Sequence, residues 1–115
     1  MLTAQEIQNG LAQCYGTEQY WKNNVLNFQY TDGVKFLHEN ADCYWLLIAI
    51  SSYKRTEPFQ VWELKKHTDN MAILTMKEDT HQPLLVEQKI PFTDFPLEEM
   101  KLYLIDGILI LPTEY

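Results

Sequence analysis

The most chemical stretch of the chain is His38-Glu39-Asn40-Ala41-Asp42-Cys43, which packs an imidazole, two carboxylates and a thiol into six residues. "HENAD" is one residue short of H-E-x-x-H, a motif that binds zinc because two histidines four apart share one helix face. Asp42 stands where the second histidine would be. A His and an Asp can share an ion, but a catalytic zinc usually takes three protein ligands. His67 and His81, the other histidines, each lie in an isolated turn-like stretch. Cys43, five residues after His38, points elsewhere on a helix. The stretch reads better as a joint. His38 and Glu39 form the solvated end of one helix, where the dipole favours a cationic imidazole, and Asp42 caps the next. A small hydrolase or metal enzyme around His38 is the enzymatic alternative.

Other catalytic patterns are weaker. Ser51-Ser52 lack the flanking glycines of a nucleophile elbow. With four glycines in the chain, no phosphate-cradling loop can be written. Glu78-Asp79 and Glu98-Glu99 are sequence neighbours on polar faces, whereas glycosidase carboxylates face each other across a cleft. The residues therefore favour a non-enzymatic protein, and no catalytic residue, metal or cofactor is assigned.

Two features suit binding instead. Lys54, Arg55, Lys65 and Lys66, with His67, concentrate positive charge between positions 54 and 67, and Arg55 is the sole arginine. If the chain folds back after Pro58, these groups converge on a small anion, for which arginine's fork is well shaped. The structural alternative is that Lys54 and Arg55 offset a helix C-terminus while Lys65 and Lys66 guard a strand end. The second feature is the rings. Tyr44 and Trp45 lie in an apolar run and read as core. Tyr20 and Trp21 lie among polar residues and read as exposed anchors, the kind that interfaces and ligand pockets use. Tyr20, Trp21, Lys54, Arg55, Lys65 and Lys66 are thus the candidate ligand-binding set.

The net charge of −7 is unevenly placed. Residues 78–115 carry eight acids and two lysines, a net of −6, which leaves −1 for residues 1–77. Such a chain is repelled by nucleic acid and by anionic membranes. It suits a basic partner, or imitates a nucleic-acid backbone. The longest apolar run, Cys43 to Ile50, is too short to span a bilayer. The start "MLTAQEIQNG" lacks the cationic opening of a secretory signal. The two cysteines, Cys14 and Cys43, do not resemble a disulfide framework. A cytoplasmic setting is expected.

These groups must be positioned by one domain, residues 1–115. Thr3 and Glu6 form a capping box, with Leu2 and Ile7 as a hydrophobic staple. Ile7, Leu11 and Cys14 mark the buried face, and Gly16 is the expected stop. Val25–Tyr30 alternates as a strand. Asp32 then caps a helix over 33–40, and a second helix runs over 43–54, apolar nearly all round and so central. Phe59–Lys66 and Met71–Lys77 are strands about the turn "HTDN", and Leu84–Phe92 is another. "DFPLEEMKLYLIDG" supports either a helix, with Asp94 and Pro96 at its start and Gly107 past its end, or a hairpin turning at Asp106-Gly107. The helix is favoured because start and stop signals are both present, with Ile108–Leu111 as a last strand. The order predicts an α+β domain: a mostly antiparallel sheet of about four or five strands, with helices packed on one face.

"MLTAQEIQNGLAQCYGTEQYW", "YTDGVKFLHENADCYWLLIAI" and "FTDFPLEEMKLYLIDGILILPTEY" resemble an uncharacterised family of short bacterial proteins, largely cyanobacterial and linked to phages or mobile elements, that carries a domain-of-unknown-function label. The likeness spans essentially the whole chain. It implies one compact domain in a bacterial or phage cytoplasm and transfers no site residue. The leading expectation is a binding module acting through a homo-oligomer, engaging a protein partner or a small anionic, nucleotide-like ligand that it sequesters. The alternative is an acidic protein-binding inhibitor or nucleic-acid mimic built on residues 78–115.

Overall fold

The structure is a computed structural model that describes residues 2–14, 19–54, 56–68, 70–79 and 81–115. Thr3 starts helix α1 (Ala4–Ala12) through both bonds of the capping box. The Glu6 N–H donates to Thr3 Oγ1 (3.2 Å) and the Thr3 N–H donates to Glu6 Oε1 (3.0 Å). The staple residue Ile7 is fully buried. The helix ends at Ala12 with Gln13 as C-cap; Gly16, its expected stop, lies outside the described residues.

Helix α2 (Asp32–Asn40) is capped by Thr31 rather than by Asp32, which becomes its first residue. Thr31 Oγ1 accepts from the Val34 N–H (3.3 Å) and donates to Glu114 Oε1 (2.6 Å). The same Glu114 oxygen accepts from the Leu111 N–H (2.9 Å). A carboxylate from the end of the chain therefore sits at the positive end of α2 and ties the last residues to the helix. Glu114 belongs to the acidic C-terminal third, yet its carboxylate is bonded within the fold.

The α2–α3 joint differs from the expected cap. Ala41 is the C-cap of α2, Asp42 follows with φ 51°, and the Cys43 N–H donates to the His38 carbonyl (3.1 Å). That is the Schellman arrangement, which wants a residue in the left-handed region after the C-cap and tolerates Asp or Asn less readily than Gly. Asp42 ends α2 instead of capping α3 (Tyr44–Ser52), whose N-cap, Cys43, makes no side-chain capping bond. Leu46, Leu47 and Ile50 of α3 are buried, whereas Ile48 is exposed and Tyr44 and Trp45 only half-buried. The helix is central on one side only.

The sheet has six strands where four or five were expected. They are β1 (Gln29–Tyr30), β2 (Phe59–Thr68), β3 (Met71–Lys77), β4 (Val86–Ile90), β5 (Glu99–Ile105) and β6 (Ile108–Ile110), in the order β1-β6-β5-β2-β3-β4. All neighbours are antiparallel except β1 and β6. The expected strand over 25–30 shrinks to two residues. The expected helix over 96–105 is the larger error: β5 and β6 form a hairpin. Asp106 and Gly107 both have positive φ (50° and 82°), which suits the two-residue primed turns whose twist matches that of the strands. Seven residues of β5 pair in unbroken register with β2, from Phe59↔Ile105 to Lys65↔Glu99. The cap-like Asp94 and Pro96 are outweighed because period-two alternation lets Leu102 bury on one face while the backbone ladder is satisfied by β2.

Even-numbered side chains of the long strands, Trp62, Leu64, Ala72, Leu74, Met76, Val86 and Leu102, join Ile7, Val34, Leu37, Leu46, Leu47 and Ile50 of the helices in one core. Odd-numbered residues point to the opposite face. There Phe59, Tyr103 and Tyr115 pack edge to face or tilted, 5.4–5.7 Å apart.

Two substitutions test this frame. Gly107→Val should destabilise by about 1–2 kcal/mol through its left-handed φ of 82°. Glu114→Ala should cost about 1–3 kcal/mol by stripping partners from Thr31 and Leu111. Urea unfolding midpoints measure both, and an unchanged midpoint contradicts the corresponding contact.

Candidate functional site

Among the described residues, the candidates Lys54 and Lys65 line different hollows. Trp21 makes a single bridge to Tyr30, donates its indole N–H to Asp32 (2.7 Å) and carries Lys35 Nζ over its ring at 4.4 Å. Tyr20 is exposed beside it. Lys54 closes α3 and lines a hollow with Asn24, Val25, Ile48 and Ser52. Lys65, on the odd-numbered face of β2, lines a different one with His67, Thr75, Lys77 and Glu87 and pairs with Glu63 at 3.6 Å. Lys66 has even parity in β2, and its N–H donates to the Glu98 carbonyl (2.9 Å). Arg55 lies outside the described residues.

His38 is not the solvated residue expected. It is half-buried between the rings of Tyr30 (5.5 Å) and Tyr44 (5.1 Å), and its Nε2 and the Tyr44 hydroxyl are buried without a hydrogen-bond partner among the described residues. Burial lowers the imidazole below its ordinary value of 6.5, against a smaller opposing pull from Glu39. Cys43 is buried, and burial pushes its thiol up to about 12, so it is not a nucleophile at neutral pH. Among the described residues, no group of three or more His, Cys, Asp or Glu is placed to hold a metal ion.

The largest hollow described, about 620 Å³, lies where the α2–α3 joint meets the far end of the sheet. Asp42, Tyr44 and Trp45 come from the joint, Asn70 from the β2–β3 turn, and Ile90, Phe92, Thr93 and Asp94 from the end of β4 and the loop after it. Local structure explains each placement. The Schellman bond turns the chain at Asp42 and starts α3 with two rings facing the sheet end. The Thr93 N–H donates to the Asn70 carbonyl (2.9 Å), which pins the loop to the turn. Thr93 Oγ1 accepts from the Phe95 N–H (3.1 Å), and Phe95 itself is buried as the loop's anchor. Phe92 consequently stands at the mouth, 86% exposed.

Among the described residues, the lining thus holds three aromatic rings and two carboxylates, with no lysine, arginine or histidine. Ring faces and carboxylates together attract an organic ammonium or guanidinium group.

Sequence reasoning missed this cleft because its parts come from three segments distant in the chain. Phe92 carried one signal: a large ring between Pro91 and the polar Thr93-Asp94.

The fold and cleft describe a small domain of three helices and an open, mostly antiparallel six-stranded sheet with an acidic, ring-lined hollow at one end. A family model described as a family of unknown function, DUF6876, matches residues 5–115, and the chain belongs to that family. No curated protein and no solved structure matches it.

The buried imidazole sets a pH dependence. Its folded pKa lies below its unfolded one, so the unfolded chain takes up the proton first as pH falls. The stability contribution is full above about pH 6.5 and is lost progressively below it. Urea midpoints at about pH 7.5 and pH 5.5 should therefore drop more for the parent than for His38→Gln. Equal drops contradict the assignment.

Proposed function

We propose that the protein is a non-enzymatic binding module, acting through an oligomer, that engages a protein partner by holding one of its basic side chains in the Asp42–Asp94 cleft. The observation that supports this most directly is the lining itself: among the described residues, Tyr44, Trp45 and Phe92 with two carboxylates and no cation. The surrounding charge agrees with it, because residues 78–115 carry a net of −6 and draw basic partners at long range. This joins the partner-binding reading to the acidic character of the C-terminal third. The anion or nucleotide reading has less support. The Trp21 face that would stack a base already carries Lys35, and Lys65 is paired with Glu63. A cytoplasmic setting in a bacterium or its phage fits the two free thiols and the resemblance of the chain to short bacterial proteins.

The test is a nuclear magnetic resonance titration with N-acetyl-arginine amide, followed at the three indole N–H signals. Trp45 should shift, while Trp21 and the buried Trp62 should not. Replacing Asp42 and Asp94 together by Asn should weaken the response at least about fivefold, roughly 1 kcal/mol, and added salt should weaken it further. A still Trp45 signal, or one indifferent to the two Asn changes, overturns the proposal.

A further inference from the structure

Strand β4 is the outer edge of the sheet, hydrogen-bonded to β3 alone among the described strands. An open edge presents a row of backbone donors and acceptors that another strand can pair with. Leu84 and Leu85 stand exposed at one end of this edge and Phe92 at the other. Between them runs Val86-Glu87-Gln88-Lys89-Ile90, whose chemistry is symmetric about Gln88. Glu87 and Lys89 are both exposed on the odd-numbered face, and neither makes an ion pair with the described residues. Val86 and Ile90, both β-branched, lie on the core side.

We propose that two copies of this chain join through β4, antiparallel about a two-fold axis at Gln88, merging two six-stranded sheets into one. In that register Glu87 faces Lys89 of the second copy and Lys89 faces its Glu87. Val86 faces Ile90 twice, and exposed Leu84 meets exposed Phe92 twice. Opposite charges directly across a strand pair stabilise it and like charges destabilise it. Slipping by two residues in one direction puts Glu87 opposite Glu87, and in the other Lys89 opposite Lys89. A lone lysine on an edge blocks pairing; a glutamate two residues before it, on the same face, turns that block into a register selector. Pro91, without an N–H, ends the ladder beyond Ile90. The occupant is thus a second copy, because the charge pattern complements itself. Five rungs and two rim contacts bury less than the ~1,200 Å² of a stable standard interface, so the dimer dissociates on dilution.

This deepens the oligomeric part of the proposed function but does not depend on what the cleft holds. A protein that stays monomeric yet shifts Trp45 with the arginine probe overturns the dimer and leaves the cleft reading in place.

Sedimentation velocity on the full chain from about 1 µM to about 500 µM should show the mass rise towards twice that of the monomer. Glu87→Lys and Lys89→Glu, each alone, place like charges opposite one another and should raise the dissociation constant at least tenfold, roughly 1.4 kcal/mol. Circular dichroism should be unchanged, since both side chains are exposed. An equimolar mixture of the two variants restores every opposite-charge pair and should form a heterodimer, and the doubly exchanged protein should dimerise like the parent. A parent that remains monomeric throughout, single variants that dimerise as the parent does, or a mixture that fails to pair each overturns the proposal.

Discussion

Strand β2 is paired along both edges and covered by helices on one face, and the remainder of the molecule is arranged around that asymmetry. Its backbone groups are taken up by β3 on one side and β5 on the other. Its deepest ring, Trp62, is 1% exposed and needs a partner for its indole N–H. Gln60, also buried, accepts it at 2.9 Å and in turn donates to the Glu57 carbonyl at 3.2 Å. That short relay lets a large aromatic side chain fill the centre without an orphaned donor. Tyr53, at the end of α3, stacks tilted on Trp62 at 5.8 Å and reaches Gln88 of β4 at 2.6 Å. The helix layer and the far strand are thereby tied to the same ring.

Covering one face leaves two boundaries that the core does not close. On the odd-numbered face, Phe59, Tyr103 and Tyr115 pack on one another, Val61 is buried, and Glu63 pairs with Lys65 and Lys77. That face manages its own exposure. The β4 side is less finished, with three large apolar side chains in solvent and a cleft whose rings are only partly covered. Cleft and edge adjoin because Phe92 belongs to both. Exposed apolar side chains and the cleft's carboxylates therefore gather at the β4 end.

Much of the architecture is legible in the residues. Capping at Thr3, the helices on either side of Asn40, the β2–β3 hairpin and the α+β class all follow from local signals. The region after Pro91 was misread because two sets of local signals coexist there. Asp94, Pro96 and Gly107 mark a helix by their positions, while Met100, Leu102 and Leu104 alternate as a strand. Choosing between them requires knowing that β2 offers an unpaired edge, a fact absent from any short window. The candidate site was less legible still. Trp21 was read as an exposed anchor, but Lys35 and Asp32 occupy its face and its nitrogen. His38 was read as solvated, but two tyrosines from other elements enclose it.

The short-range rules of helix capping, turn formation and alternation act between residues a few positions apart. For that reason the chain by itself determines where most elements start, which faces are apolar, and that "HENADC" is a joint between two helices. What lies across from what is a matter of long-range packing. Only the tertiary structure puts Asp42, read as a cap, at the rim of a cleft with Trp45, Phe92 and Asp94, and leaves Glu87 and Lys89 on a free edge. The physical reason is that burial and strand pairing couple residues tens of positions apart, and no local preference encodes which partner wins.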